Sequence, residues 1–211
     1  MKNFFVNYMN NKIKLDKWQI IGILCLVFVI SGVFGWIYEF IFYFFNGGME
    51  KFYWRGGNFL PFINIYATGA IMICILSYKF RKNPFLVFLI AFVSTGILEY
   101  FSGLVIYEWF GLRFWDYNTE ILNFGNIGGY VCLRSVSFFG LSALLLMYLI
   151  VPFCIWLSKS IDKKKFLIIS ISIFSIFLFD EMYNLVFSRL FGLPRAHDVY
   201  ESIGFNFMKY R

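Results

Sequence analysis

Charge is what this chain has least of. Only 15% of its 211 residues are Asp, Glu, Lys or Arg, whereas a soluble domain carries about 25%, so an ordinary water-soluble fold is excluded. Histidine occurs once, at His197, which falls in a polar tail and reads as an ordinary exposed residue. The four cysteines, Cys25, Cys74, Cys132 and Cys154, form no CxxC pair and no Cys/His cluster. A zinc site and a disulfide framework are therefore not expected, nor is any other metal or cofactor. GxxxxGK[ST], HExxH and GxSxG are all missing, so no P-loop ATPase, zinc protease or serine hydrolase is encoded and no catalytic residue can be named. Despite a net charge of +7, no basic stripe or nucleic-acid recognition motif exists. Lys and Arg stand in short blocks beside apolar stretches, where they act as topology signals and contacts for anionic lipid. Residues 1–17 are too polar for a cleavable signal, so the first apolar segment is read as retained.

What the chain has instead is apolar and aromatic surface. Hydrophobic residues make up 60% and aromatics 24%, with thirty Phe and fourteen Tyr, which suits lipid-facing surfaces and interfacial belts. Five segments are long enough for a bilayer core, which needs about 20 residues: Ile20–Phe45, Phe59–Tyr78, Phe85–Tyr107, Ser135–Leu157 and Phe166–Ser188. The expected fold is an all-α polytopic membrane bundle of about five transmembrane helices. Residues 1–17 form an amphipathic cytoplasmic segment, 18–188 the transmembrane domain and 189–211 a C-terminal tail. With the N-terminus inside, Lys2, Lys12, Lys14, Lys17, Lys79, Arg81, Lys82, Lys159, Lys163, Lys164 and Lys165 are cytoplasmic. Outside lie Lys51, Arg55, Arg113 and Arg134, together with Arg189, Arg195, Lys209 and Arg211 of the tail. That bias sets the N-terminus in and the C-terminus out.

Three regions stand apart. Near the N-terminus, Phe5, Met9 and Ile13 recur at helical spacing among lysines, as in a short helix lying on the inner surface. Between spans three and four, residues 108–134 are rich in aromatics (Trp109, Phe110, Phe114, Trp115, Tyr117) and broken by Gly125, Gly128 and Gly129. That pattern fits either a re-entrant segment or an interfacial loop anchored by tryptophans. The fifth span carries two acids at its middle and is near break-even for insertion, so it should pack against other helices rather than face lipid.

The acids carry the chemistry. Glu39, Glu99, Asp180 and Glu181 lie inside otherwise apolar spans, where a carboxylate costs about 2.5–3.5 kcal/mol on insertion scales and needs a partner or a wet cavity. All four map to the outer half, as do Arg55, Arg113, Arg134 and Asp116. These eight are the expected substrate- or ion-binding residues. Gly32 and Gly35 share a helix face with Glu39, Gly96 and Gly103 share one with Glu99, and Asn184 shares one with Asp180. Gly35-Trp36-Ile37-Tyr38-Glu39 and Gly96-Ile97-Leu98-Glu99-Tyr100 echo each other at matching depths, the pattern two parallel repeats would leave. The acids either line a cavity for a polar solute or for protons, or lock the bundle in pairs such as Glu39–Arg55 and Glu99–Arg134.

One set of motifs resembles a known family: Gly35-Trp36-Ile37-Tyr38-Glu39, Arg55-Gly56, Pro61 with Ile65-Tyr66 and Gly69, Glu99 with Gly103, Trp115-Asp116-Tyr117, and Cys132-Leu133 with Ser137 and Phe139-Gly140. In order and spacing it is similar to the bacterial membrane proteins catalogued as ABC-transporter permeases of the CmpB type (type IV). The sequence departs from the family before span four, where it reads Gly129-Tyr130-Val131-Cys132-Leu133 with the arginine displaced to Arg134. The resemblance implies a permease-like membrane subunit in a bacterial cytoplasmic membrane, working in the lipid bilayer with a separate ATPase subunit or as a homo-oligomer. The residues alone leave open a proton-coupled, gradient-driven carrier, or a membrane enzyme or accessory protein acting on lipid or envelope substrates. The inner loops Lys79–Asn83 and Ser158–Lys165 are too short to couple to an ATPase, which leaves the N-terminal segment as the docking element.

Overall fold

The computed structural model describes residues 2–46 and 54–205. Lys51, Lys209 and Arg211, counted above among the outer basic residues, lie outside them. The described chain is helical: α1 (Lys2–Met9), α2 (Lys17–Asn46), α3 (Asn64–Ser77), α4 (Pro84–Phe110), α5 (Leu133–Leu145), α6 (Val151–Ser160), α7 (Lys163–Met182), α8 (Ser188–Phe191) and α9 (Ala196–Ser202). One π-helical turn joins α5 to α6 and another joins α7 to α8, giving continuous rods over Leu133–Ser160 and Lys163–Phe191. With Lys17–Phe45 and Pro84–Phe110 they make four helices long and apolar enough to cross a membrane. The all-α membrane bundle expected from the sequence is thus what forms.

The second expected span, Phe59–Tyr78, needs correction. Its helix starts only at Asn64 and ends in a short 3₁₀ turn at Phe80, so it is a shorter apolar helix. Pro61 has no N–H to give a helix and disfavours helix in the residue before it. Residues 54–63 form no helix, and their amides find acceptors elsewhere, as described below.

Local signals set the ends of the rods. Asp16 Oδ1 accepts the N–H groups of Trp18 and Gln19 at the start of α2. Asn83 caps α4 through Leu86 N–H, with Pro84 at the first position where a missing N–H does no harm. Gly111, at φ +64°, closes α4 in the left-handed conformation and returns its N–H to the Tyr107 carbonyl. Asp162 caps α7 through Lys165 N–H.

The chain divides into two compact units, residues 1–14 with 69–153, and residues 15–68 with 154–211. In the first, α4 packs on α5. Its buried stripe, Val87, Ala91, Thr95, Glu99 and Gly103, recurs every four residues, one turn apart on a single helix face. Gly96 lies beneath Val136, and Gly140 beneath the Phe88 ring, so the two helices approach closely. In the second, α2 packs on α7. Phe28 meets Phe62 and Phe174, Phe62 meets Phe177, and the Phe62 and Phe166 rings cover Gly32 and Gly22. Asp16 and Lys163 bridge the starts of these helices at 2.8 Å, and Lys163 foremost holds the exposed Asp16 carboxyl below its usual range.

Helix α1 does not bury the residues its spacing suggested. Ile13 lies beyond its end, Phe5 is exposed, and the buried side chain is Tyr8, whose hydroxyl donates to the Met147 carbonyl at 2.8 Å. The cause is Arg81, which stands in a cytoplasmic-type basic block yet is only 1% exposed. Its guanidinium donates to the carbonyls of Tyr8 and Tyr78 and to Asn11 Oδ1, lying between the Tyr8 and Tyr78 rings. Two helix C-termini therefore turn their electronegative carbonyls on one cation. Arg81→Ala should leave these acceptors bare, at about 1–3 kcal/mol each. Tryptic cleavage at Lys12 and Lys14 of the folded protein is expected to quicken about tenfold or more, with the rods intact by circular dichroism.

Candidate functional site

The eight expected site residues fall into four clusters, two in each unit. In the second unit, Glu39 of α2 accepts Arg55 Nε at 2.9 Å and the Tyr66 hydroxyl at 3.2 Å. The Arg55 guanidinium lies 4.1 Å over the Tyr43 ring. Here the expected Glu39–Arg55 pair forms. The reason for Gly35 is steric: a Cβ there would sit 2.1 Å from the Tyr66 ring. Glycine one turn before Glu39 lets Tyr66 lie flat on α2 and reach the carboxylate.

The second cluster explains the interrupted helix. Asp180 accepts the backbone N–H groups of Phe59 at 3.0 Å and Leu60 at 2.7 Å, and Asn184 Nδ2 at 2.8 Å. Its neighbour Glu181 accepts Asn58 Nδ2 at 2.6 Å and Asn64 Nδ2 at 3.3 Å. Asn184 stands in the π-helical turn. Its Oδ1 accepts Ala196 N–H at 2.7 Å, which docks the start of α9. Tyr200 of α9 then donates to the Phe59 carbonyl at 2.9 Å. His197 is consequently partly buried rather than exposed, because α9 is held by these contacts. The acid pair thus organises non-helical backbone on one side and α9 on the other.

In the first unit, Glu99 is 3% exposed. The Tyr117 hydroxyl donates to Oε1, and the Ser135 hydroxyl oxygen lies 2.7 Å from Oε2. The expected Glu99–Arg134 pair does not form. Arg134 instead binds Glu120 at 2.5 Å and the Ile121 carbonyl at 2.7 Å, and stacks 5.5 Å over the Tyr117 ring. Glu120 arrives on the same loop as Tyr117 and outcompetes Glu99 for the guanidinium. Burial above all, and then the adjacent Glu99, push the Tyr117 phenol well above its ordinary range. Tyr117 is therefore a hydrogen donor to the carboxyl and does not itself ionise near neutral pH.

The aromatic loop has a definite course. Glu99 lies eleven residues before the end of α4 at Phe110, about 16 Å along the helix, and residues 111–132 fold back over that distance. Trp115 Nε1 donates to the Tyr130 carbonyl at 2.8 Å, both rings lie over Gly103, and Tyr130 meets Tyr100 and Tyr107 edge-on or tilted. Trp109 and Phe110 remain exposed. The last cluster, Arg113–Asp116 at 2.7 Å, pins the loop's outer part, where Arg113 also reaches the Gly128 carbonyl. Some desolvation acts on Asp116, but the Asn118 amide and Arg113 outweigh it and hold its carboxyl below the usual range.

Sequence reading missed Tyr66, Tyr117, Ser135, Asn58 and Asn64 as site residues, all neutral hydroxyls or amides. Their signal is weak, since hydroxyls and amides occur in any helix. Among the described residues no group of three or more His, Cys, Asp or Glu side chains could hold a metal ion, and none of the four cysteines forms a disulfide.

Three outcomes are expected. Asp180→Ala should strand two part-buried backbone amides and lower stability by about 1–4 kcal/mol, and Asp180→Asn, which keeps one acceptor, by less; thermal unfolding in detergent measures both. Gly35→Ala should displace Tyr66 and weaken the Glu39 cluster, read the same way. The folded Asp116 carboxyl lies below its unfolded value, so its contribution is present above the ordinary carboxylate range, near pH 4, and is lost as pH falls below it. Trp115 fluorescence should report that loosening.

A family model described as "Putative ABC-transporter type IV" matches residues 26–185. No curated protein and no solved structure matches the chain. The matched stretch contains Glu39, Arg55, Glu99, Tyr117, Ser135, Asp180 and Glu181, so the chain belongs to the CmpB-type ABC-transporter (type IV) family and is a membrane protein related to ABC transporters.

Proposed function

We propose that this protein is the permease-like membrane subunit of a transport system in a bacterial cytoplasmic membrane, handling a polar solute at its acid clusters. The observation that carries the reading is the family match over residues 26–185, which takes in all eight expected site residues. Energetics support it: carboxylates within apolar spans are expensive and tend to mark pathways for polar solutes and ions. Glu39 with Arg55 presents both charge signs at one place, as recognition of a zwitterionic or polar solute requires. Arg113 and Asp116 do the same on the loop, and Glu99, Arg134, Asp180 and Glu181 complete the proposed set. The chain encodes no P-loop, so ATP hydrolysis falls to a separate subunit.

The N-terminus lies inside on this reading, and the outward face of α1, with Phe5 and Val6 exposed, is the docking element. Tagged protein purified from native membranes in mild detergent should bring down an ATPase in stoichiometric amount. Phe5→Ala with Val6→Ala should abolish that association while leaving the Tyr8–Arg81 contact intact. Glu39→Gln should leave abundance normal and stop transport; a homo-oligomer without ATPase would overturn the permease reading in favour of a gradient-driven carrier or an outer-face enzyme.

A further inference from the structure

One short oxygen–oxygen contact beside Glu99 lacks a hydrogen unless the carboxyl carries a proton. Ser135 Oγ lies 2.7 Å from Glu99 Oε2 and 2.8 Å from the Cys132 carbonyl, and it receives Cys132 N–H at 3.3 Å. A serine hydroxyl has one hydrogen and two lone pairs. If Ser135 gives its hydrogen to Glu99, two oxygens without a hydrogen between them, Ser135 Oγ and Cys132 O, are left 2.8 Å apart. If it gives the hydrogen to Cys132 O, the 2.7 Å contact with Glu99 becomes a hydrogen bond only when Glu99 supplies the hydrogen. The second arrangement puts a hydrogen in both short oxygen–oxygen contacts, running from Glu99 Oε2–H to Ser135 Oγ–H to Cys132 O. Oε1 is then the carbonyl oxygen, and Tyr117 donates to it.

Charge counting points the same way. Facing Glu99 from the loop are Tyr117 and Glu120. From α5 and its N-terminal cap come Ser135, Arg134 and Cys132, while Glu108, the other acid of its own helix, stands nine residues on. Arg134 and Glu120 cancel each other as a bonded pair. Glu99, 3% exposed, is the unmatched carboxyl, and an unpaired charge buried this way is strongly disfavoured.

We propose that Glu99 is a proton-binding site, holding its proton on Oε2 against Ser135 and covered by Tyr117 of the 111–132 segment. The step is simple: the Glu99 O–H bond breaks, the proton passes to water, and the carboxylate remains. The covering segment carries both Tyr117 and Glu120. Its withdrawal would admit water, remove the donor at Oε1 and release Arg134 to face the new negative charge. Proton exchange is thereby tied to movement of the loop. This inference holds whether or not an ATPase associates with the chain.

Infrared difference spectroscopy on the purified full-length protein in lipid tests it. Wild type should show a carboxylic-acid carbonyl stretch that Glu99→Gln lacks. Tyr117→Phe should retain the stretch and move it to higher frequency, since the carbonyl oxygen has lost its donor. Transfer to heavy water should shift the wild-type band slowly and the Tyr117→Phe band at least tenfold faster. Should Glu99→Gln fail to accumulate, the Tyr117→Phe frequency shift alone assigns the band. Identical spectra for wild type and Glu99→Gln, or no response to Tyr117→Phe, would overturn the proposal. So would loss of the band on adding sodium or potassium chloride at fixed pH, which would make the site one for a metal cation.

Discussion

Backbone polar groups in an apolar setting must find partners, and most of this chain's local design follows from that requirement. Inside a rod the helix satisfies itself. Where the chain leaves helical geometry, side chains from distant sequence take over. Residues 54–63 have no helix of their own, and the amides of Phe59 and Leu60 end on Asp180. The carbonyls closing α1 and the turn after α3 end on Arg81. Both charged groups are thereby engaged by backbone dipoles. Asp180, an expense to the insertion of its span, is repaid in the folded unit by the loop it fixes.

Neutral donors recur around the acids. Glu99 meets two hydroxyls, Glu181 two amide side chains, Asp180 two backbone N–H groups and Asn184, and of the four acids only Glu39 combines a guanidinium with a hydroxyl. A hydroxyl can donate to a carboxylate or accept from a carboxylic acid and so holds a carboxyl without fixing its charge, whereas amide N–H groups and an arginine favour the ionised form. The first kind of setting leaves room for a proton to come and go, and the second suits binding of a charged or polar group. The two Glu–Tyr contacts are built alike. In each, a glutamate on a long helix receives a tyrosine from a following segment, Tyr66 at Glu39 and Tyr117 at Glu99. A glycine one turn from each acid, Gly35 or Gly103, lies under an aromatic ring of that segment. The glycine's place differs: Gly35 precedes Glu39, whereas Gly103 follows Glu99 and the echoed Gly96 lies against Val136.

The acids, the glycines beside them and the long rods were legible in the sequence, because apolar length and i, i+4 spacing are local properties. The Glu39–Arg55 pair was legible too, being sixteen residues apart along one turnaround. Misreadings came where a local signal had competition. Arg81 sits in a basic block that reads as a topology marker, yet burying two helix ends there outweighs its hydration. Arg134 was near enough to pair with Glu99, but Glu120 comes with the same loop that delivers Tyr117. Phe59–Tyr78 is mostly apolar along its length, and hydropathy does not register that Pro61 interrupts the helix.

By itself the sequence determined that the chain is a set of apolar helices, where the costly acids fall within them, and to which family the chain belongs. Those are matters of composition, periodicity and motif order, each read over a few tens of residues. Tertiary structure decided which donor each carboxyl receives, that the aromatic loop folds back three turns along α4, and that Arg81 clasps α1. Such pairings join residues up to 123 positions apart, as at Asn58 and Glu181. Hydroxyls and amides are chemically interchangeable along a sequence, so only packing selects which of them meets which acid.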